Sequence, residues 1–199
     1  MGTQTNLKNF TGFFLVLINF FALTSVCDSD EQEITEVLII GSNADCRLLG
    51  IYLLIGKQHG DHTTSIDHAA PDSTSHEIYK GVLDDNARGV FQGKILVRKD
   101  SQRTNGYQLN QALLLSKGTE VDSKPELEIY ADDVKCSHGS TSGSIDENSI
   151  HYLMTRGITL PIAKKLLING FLNEIFENIQ EEKLKTFLEK SIMEQVDGI

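Results

Sequence analysis

The segment Lys124-Pro125-Glu126-Leu127-Glu128-Ile129-Tyr130-Ala131-Asp132-Asp133-Val134-Lys135-Cys136-Ser137-His138-Gly139 holds both a strand pattern and a pair of side chains able to bind metal. Within it, Glu126 to Tyr130 alternates polar and apolar residues, the period of two that turns one face of a strand towards a core. The same texture recurs upstream over residues 34–143, as short apolar runs separated by Gly, Asp, Asn and Ser. Examples are Glu36-Val37-Leu38-Ile39-Ile40, Arg47-Leu48-Leu49-Gly50-Ile51-Tyr52-Leu53-Leu54 and Gly89-Val90-Phe91-Gln92-Gly93-Lys94-Ile95-Leu96-Val97. Many short strands with closely spaced turns imply a sandwich, a barrel or a β-solenoid. With no Trp and 7% aromatic residues, a narrow core of Ile, Val and Leu is expected. No exact repeat is visible, so periodicity leaves the three architectures open within a mostly β fold.

Downstream the pattern becomes helical. Ser144 is expected to cap a first helix, with Asp146 and Glu147 favoured in its first turn by the helix dipole. Ile150, Leu153 and Met154 share a face, and Arg156-Gly157 suits the end of that helix. Thr159 opens a second helix that tolerates Pro161 in its first turn. Ile162, Leu166, Ile168, Leu172, Ile175 and Ile179 give it an apolar surface, and Leu184, Leu188 and Ile192 continue the spacing beyond Glu181. The expected division is an atypical apolar segment at 1–19, a β core at 20–143, a helical partner-docking domain at 144–180 and a helical tail at 181–199.

The chain carries 28 acidic against 18 basic residues, a net charge of −10. That balance disfavours a general nucleic-acid binder, which needs a cationic footprint. Cys27, Cys46 and Cys136 form no CxxC pair and no even-numbered disulfide framework, so a reduced, cytoplasmic setting is expected. The apolar run at 13–23 is open to two readings. One is a secretory core with a lipidated Cys27, which would make the chain an exported β-solenoid. The preferred one is a buried strand or capping helix, because Val26 is bulky for a cleavage site and the run is shorter than the roughly 20 residues that span a bilayer. No stable membrane association is expected.

The chemistry available is sparse. There is no GxxxxGK[ST] loop for a nucleoside triphosphate and no GxGxxG. Gly139-Ser140-Thr141-Ser142-Gly143 has Thr where a nucleophile elbow needs Ser, and reads as a small-residue turn. His59, His62, His68 and His76 cluster with Asp61 and Asp67, but their spacing matches no metal-ligand pattern; on a strand His62, Ile66 and His68 share parity. Asp84-Asp85-Asn86-Ala87-Arg88-Gly89 reads as a turn with a local ion pair. Cys136 and His138, two apart, project from one face if they lie on a strand. A thiolate and an imidazole suit iron or zinc, yet a four-iron cluster needs about four ligands. A cluster here would therefore be completed by another chain; the bland alternative is a buried Cys beside a hydrogen-bonded His.

Residues 124–139 resemble the signature of the SufB/SufD scaffold proteins of the SUF iron–sulfur assembly system. Asp45-Cys46-Arg47-Leu48-Leu49-Gly50, Gly56-Lys57-Gln58-His59, Tyr79-Lys80-Gly81-Val82-Leu83-Asp84-Asp85, Ala87-Arg88-Gly89-Val90-Phe91-Gln92-Gly93 and Tyr107-Gln108-Leu109-Asn110 with Leu113-Leu114-Leu115-Ser116 resemble it too. The likeness runs over about 20–179, and its Cys-Ser-His-Gly form is closer to SufD than to SufB. It implies a right-handed parallel β-helix followed by a small helical domain. It also implies a SufB-like partner forming a heterodimer with the β-helix, and a SufC-like ATPase docking on the helices. Tyr152, Arg156, Gly157, Leu166 and Phe171 become the docking candidates. Cluster building is then expected at the SufB–SufD contact, with His138 and Cys136 as transient ligands of an iron–sulfur cluster shared with the partner chain. Such a chain is a scaffold and not an enzyme, and flavin participation stays open because no flavin motif is present. Family members carry further N-terminal coils. With coils on the order of 20–30 residues, 34–143 supplies about four or five, and the run at 13–23 is expected to serve as a makeshift cap over the exposed edge. The alternative function is a truncated interaction protein that binds the ATPase and builds no cluster. The family gives no expectation for 181–199.

Overall fold

The computed structural model describes residues 15–21 and 30–198. Nine strands precede three helices among the described residues: β1 Leu15–Phe21, β2 Asp30–Ile39, β3 Asp45–Leu54, β4 His59–His68, β5 Thr74–Leu83, β6 Arg88–Val97, β7 Thr104–Leu114, β8 Glu120–Ile129, β9 Val134–Ser144, α1 Glu147–Thr155, α2 Leu160–Glu177 and α3 Glu182–Val196. Odd strands form one sheet in the order β1-β3-β5-β7-β9, and even strands form a second in the order β2-β4-β6-β8. All pairings are parallel. Each circuit adds one strand to each sheet, so the fold is a two-sheet β-solenoid of about four turns with a helical C-terminus. Asp45 faces Thr74, Thr74 faces Asn105 and Thr104 faces Val134, which sets coils of 29 to 31 residues in this sheet.

Alternation along each strand divides inside from outside. In β4, Gly60, His62, Thr64, Ile66 and His68 are buried, while the intervening residues face partly to solvent. The Leu48–Leu54 stretch reads as one long apolar run because this part of β3 is covered on both faces. Leu48, Tyr52 and Leu54 point into the solenoid with Ile66, Tyr79, Leu83 and Phe91. Leu49, Ile51 and Leu53 point outwards and pack, with Ile78 and Val82, beneath Ile168, Leu172, Ile175 and Phe176 of α2 and Leu188, Ile192 and Val196 of α3. Each such side chain, fully buried, contributes on the order of 1.5–3 kcal/mol.

Several expectations are corrected. The interior is not purely aliphatic: Tyr52 and Tyr79 interlock with glycines on adjacent coils. A Cβ on Gly50 would overlap the Tyr79 ring, and one on Gly81 would overlap Tyr52. Gly139–Gly143 is no turn but part of β9, paired along its whole length with β7. Asp146, not Ser144, caps α1, its carboxylate accepting from the amides of Asn148 and Ser149 at 3.1 and 3.0 Å. Ser144 is still extended, as the last residue of β9. The helical spacing beyond Glu181 is realised as α3, a helix separate from α2, which ends at Glu177. Arg88 does not pair within its own turn but reaches Asp122 one coil on, at 2.6 Å. Arg98 to Asp67 and Arg103 to Asp72 likewise pair across adjacent coils, each 31 residues apart in sequence.

Corners recur with the coil. Asn43, Asp72 and Arg103, each entering an odd strand, have φ of 58 to 60°, and Gly56 and Asp85, each leaving one, have 70 and 59°. Asn, Asp and Gly tolerate this left-handed region, and Arg103 is held there by its bidentate pair with Asp72. Of the run at 13–23, residues 15–21 form β1, a strand of the five-stranded sheet that crosses the expected 19/20 boundary; its ends and Cys27 lie outside the described residues. No helix among the described residues is long and apolar enough to cross a membrane.

Candidate functional site

The solenoid ends at β8 and β9, each with one neighbour in its sheet. Pro125 fits such a position, since an edge strand loses least from a residue without an N–H. The charged pairs Lys124–Glu126 and Lys94–Glu128 stand on the same strand or its neighbour, the kind of residue that guards an exposed edge.

Cys136 and His138 lie on β9 and, as their spacing requires, share a face. The register places Cys136 opposite Gly106 and His138 opposite Gln108. Gly106 and Gln108 are buried residues of the solenoid interior, so the pair continues interior rows at the last coil, where β9 has no further strand beside it among the described residues. Cys136 is half-buried against Ile95, Val97 and Ala131, and burial raises its thiol, against a weaker opposing hydrogen bond from Gly106. Burial thus favours the protonated thiol over the thiolate. His138 is exposed.

The row ending at His138 is Leu48, Glu77, Gln108, His138. Glu77 is fully buried and accepts from Gln108 Nε2 at 2.6 Å. Burial pushes its carboxyl up to about 7, against the opposing pull of Thr64 and Gln108. Cys46, one step away on β3, is also buried, and desolvation, then Glu77 and Asp45, push its thiol up to about 12. Sequence reasoning missed Glu77 and Gln108 as site neighbours. Their signal is the spacing 48, 77, 108, 138, which becomes visible once the coil length is known.

The four clustered histidines do not converge. His62 and His68 do share an inward face, with Ile66 between them. His62 meets Glu33 at 3.2 Å and stacks near Tyr52, ring centroids 4.8 Å apart. His68 is held by Ser73 and Ser75 at 2.7 and 2.9 Å, and burial drops it to about 4. His76 faces outwards beside Tyr107. Among the described residues no group of three His, Cys, Asp or Glu could hold a metal ion.

On the helices, Tyr152 and Arg156 are exposed, the guanidinium lying 5.3 Å from the Tyr152 ring centroid. Gly157 takes φ +85° just past the end of α1. Leu166 is 47% exposed, near Leu160 and Ile162 in sequence, which are equally bare. Phe171 is only half-buried but turned inwards: its ring and carbonyl both engage Lys80 of β5.

Residues 30–171 match the SufBD core domain of SUF-system FeS cluster assembly. The chain belongs to this family. It is 37% identical over 164 residues to the iron–sulfur cluster assembly protein SufD of Escherichia coli, covering 82% of this chain and 39% of that protein. A SufBD family iron–sulfur cluster assembly protein of Synechocystis is 37% identical over 144 residues, 72% of this chain and 32% of the relative. The chloroplastic protein ABCI7 of Arabidopsis thaliana is 31% identical over 147 residues, 73% and 31% respectively. The chain thus spans about a third to two-fifths of the length of these relatives. It is a SufD-like member of an iron–sulfur cluster assembly family.

Proposed function

We propose that this chain is a scaffold subunit, without catalytic activity of its own, that supports iron–sulfur cluster assembly together with a SufB-like scaffold and a SufC-like ATPase in the cytoplasm. The observation that carries the reading is the position of His138 and Cys136 on the uncovered last coil. Two donors at an open end can hold a cluster only with ligands from a second chain, and the edges of β8 and β9 offer that chain a place to pair. The cluster is cargo here, held briefly and passed on. His138 serves as an imidazole ligand or proton carrier at the contact, and Cys136 beside it as a thiolate once metal displaces its proton. The exposed Tyr152, Arg156, Gly157 and Leu166 are the docking residues for the ATPase, with Phe171 positioning α2 through Lys80.

Co-expression of the full chain with SufB-like and SufC-like partners, followed by anaerobic purification and native mass spectrometry, tests the assembly. A ternary complex supports the reading. Recovery with the ATPase alone favours an interaction protein that builds no cluster, and recovery with neither rejects both.

A further inference from the structure

We infer that Gln108, braced by Glu77, is the internal partner that fixes the imidazole of His138. The inference deepens the proposed assembly role of His138 and rests on it. Glu77 on β5, Gln108 on β7 and His138 on β9 occupy one row of the interior, in register across three coils. Adjacent rungs are about 4.8 Å apart, within reach of a Gln and a His side chain that share a face. Gln108 Nε2 donates to Glu77 Oε2 at 2.6 Å. An acceptor on that side commits the amide nitrogen to it and turns the amide carbonyl elsewhere. That carbonyl oxygen, Gln108 Oε1, is buried and without a hydrogen-bond partner, a costly condition that a neighbouring donor would relieve. Room for the amide is provided by Gly93 on the opposite sheet, where any Cβ would overlap Gln108 Nε2.

A neutral imidazole has one N–H and one lone pair. With its N–H given to Gln108 Oε1, His138 presents the other nitrogen's lone pair to the open end, where a second chain and its cargo would meet it. Metal-binding histidines commonly have such an outer partner for the second nitrogen, and it sets tautomer and ring orientation. Gln108 is thus a positioning residue, and Glu77 holds it in place.

The test is the tautomer ratio of His138 in the ¹⁵N-labelled full chain, read from long-range ¹H–¹⁵N correlations at a pH where the ring is neutral. One tautomer should dominate tenfold or more in the wild type. Gln108→Met should move the ratio at least threefold towards that of a free imidazole, while Gln108→Glu, which keeps an acceptor, should retain the bias. Asn110→Leu, a buried change in the next row, should leave it in place. Equal ratios in wild type and Gln108→Met overturn the inference, as does an equal shift in Asn110→Leu, which would mark general loosening. Should Gln108→Met fail to fold, Glu77→Leu, which removes the acceptor for Gln108 Nε2, carries the test: a ratio shifted in the same direction supports the brace, and an unchanged one overturns it. Iron loading of the assembled complex separates the two readings. A shifted tautomer in Gln108→Met beside normal loading in His138→Ala upholds the contact and rejects the assembly role. An unchanged tautomer beside lost loading in His138→Ala rejects the contact alone.

Discussion

Replacing Lys80 by Met should loosen the helical domain from the solenoid. Lys80 projects from the outer face of β5 and is 3% exposed. Its ammonium donates to the Phe171 carbonyl at 2.7 Å, pairs with Glu174 at 2.6 Å and lies 4.5 Å from the Phe171 ring centroid. All three contacts are to α2, so one side chain ties the sheet to the helix that carries Leu166. A charge-assisted hydrogen bond to a buried carbonyl is worth roughly 1.5–3 kcal/mol, and the ring contact adds about 0.5–2 kcal/mol. Glu174 is 47% exposed, so the ion pair itself counts for no more than about 1 kcal/mol. Met keeps the apolar stem and recovers part of the packing. The net loss should be about 2–4 kcal/mol, which for a chain of this size lowers Tm by roughly 5–15 °C. Thermal unfolding by far-UV circular dichroism, with hydrogen exchange followed in residues 160–177, measures both the size and the place of the effect. Glu174→Gln, which spares the carbonyl contact, should cost far less. A Tm within 2 °C of wild type and unchanged exchange in α2 would refute the role assigned to Lys80.

Gly81→Ala should destabilise the solenoid by about 1–3 kcal/mol, because the new methyl falls on the rigid ring of Tyr52 one coil away; urea unfolding at wild-type level would contradict the interlock. Two buried groups set opposing pH dependences. The Glu77 carboxyl is raised to about 7, so its contribution is fully present below about 4.5 and is lost as pH rises through 7; His68 is lowered to about 4, so its contribution is present above about 6.5 and lost as pH falls through 4. The wild type should therefore be nearly flat between pH 4.5 and 6.5, whereas Glu77→Gln should gain stability with rising pH, as urea midpoints across that range would show. In the native chain a maleimide should modify Cys136 well before Cys46, whose buried thiol is pushed up to about 12; equal labelling by peptide mass spectrometry would show that the interior opens.

The mostly β body and its helical end were legible in the sequence because alternation and helical spacing are local signals. The Thr159 start with Pro161 and the Gly157 stop lie where cap chemistry put them. The solenoid itself was not readable from periodicity, since its rungs join residues about 30 apart and the rows vary in content. Leu48, Glu77, Gln108 and His138 share one row but no chemistry, and resemblance alone supplied the architecture. The errors have the same origin. Gly139–Gly143 looked like a turn by composition, yet the β7–β9 ladder holds it extended. Local composition points Arg88 to a partner in its own turn, whereas its carboxylate lies in the next coil. Cys136 and His138 were singled out from spacing and strand parity, and both do lie on one face of a strand. What spacing could not show was that this face continues the inside of the solenoid to an uncovered end.

The open end is the centre of the reading, and His138 is its most direct probe. Wild-type and His138→Ala chains would be co-expressed with SufB-like and SufC-like partners, purified anaerobically, and compared for iron and acid-labile sulfide per complex. The expected result is an intact complex in both cases, with cluster present in the wild type and lost at least tenfold in His138→Ala. Equal iron and sulfide in two equally assembled complexes would contradict the assignment of cluster building to this face.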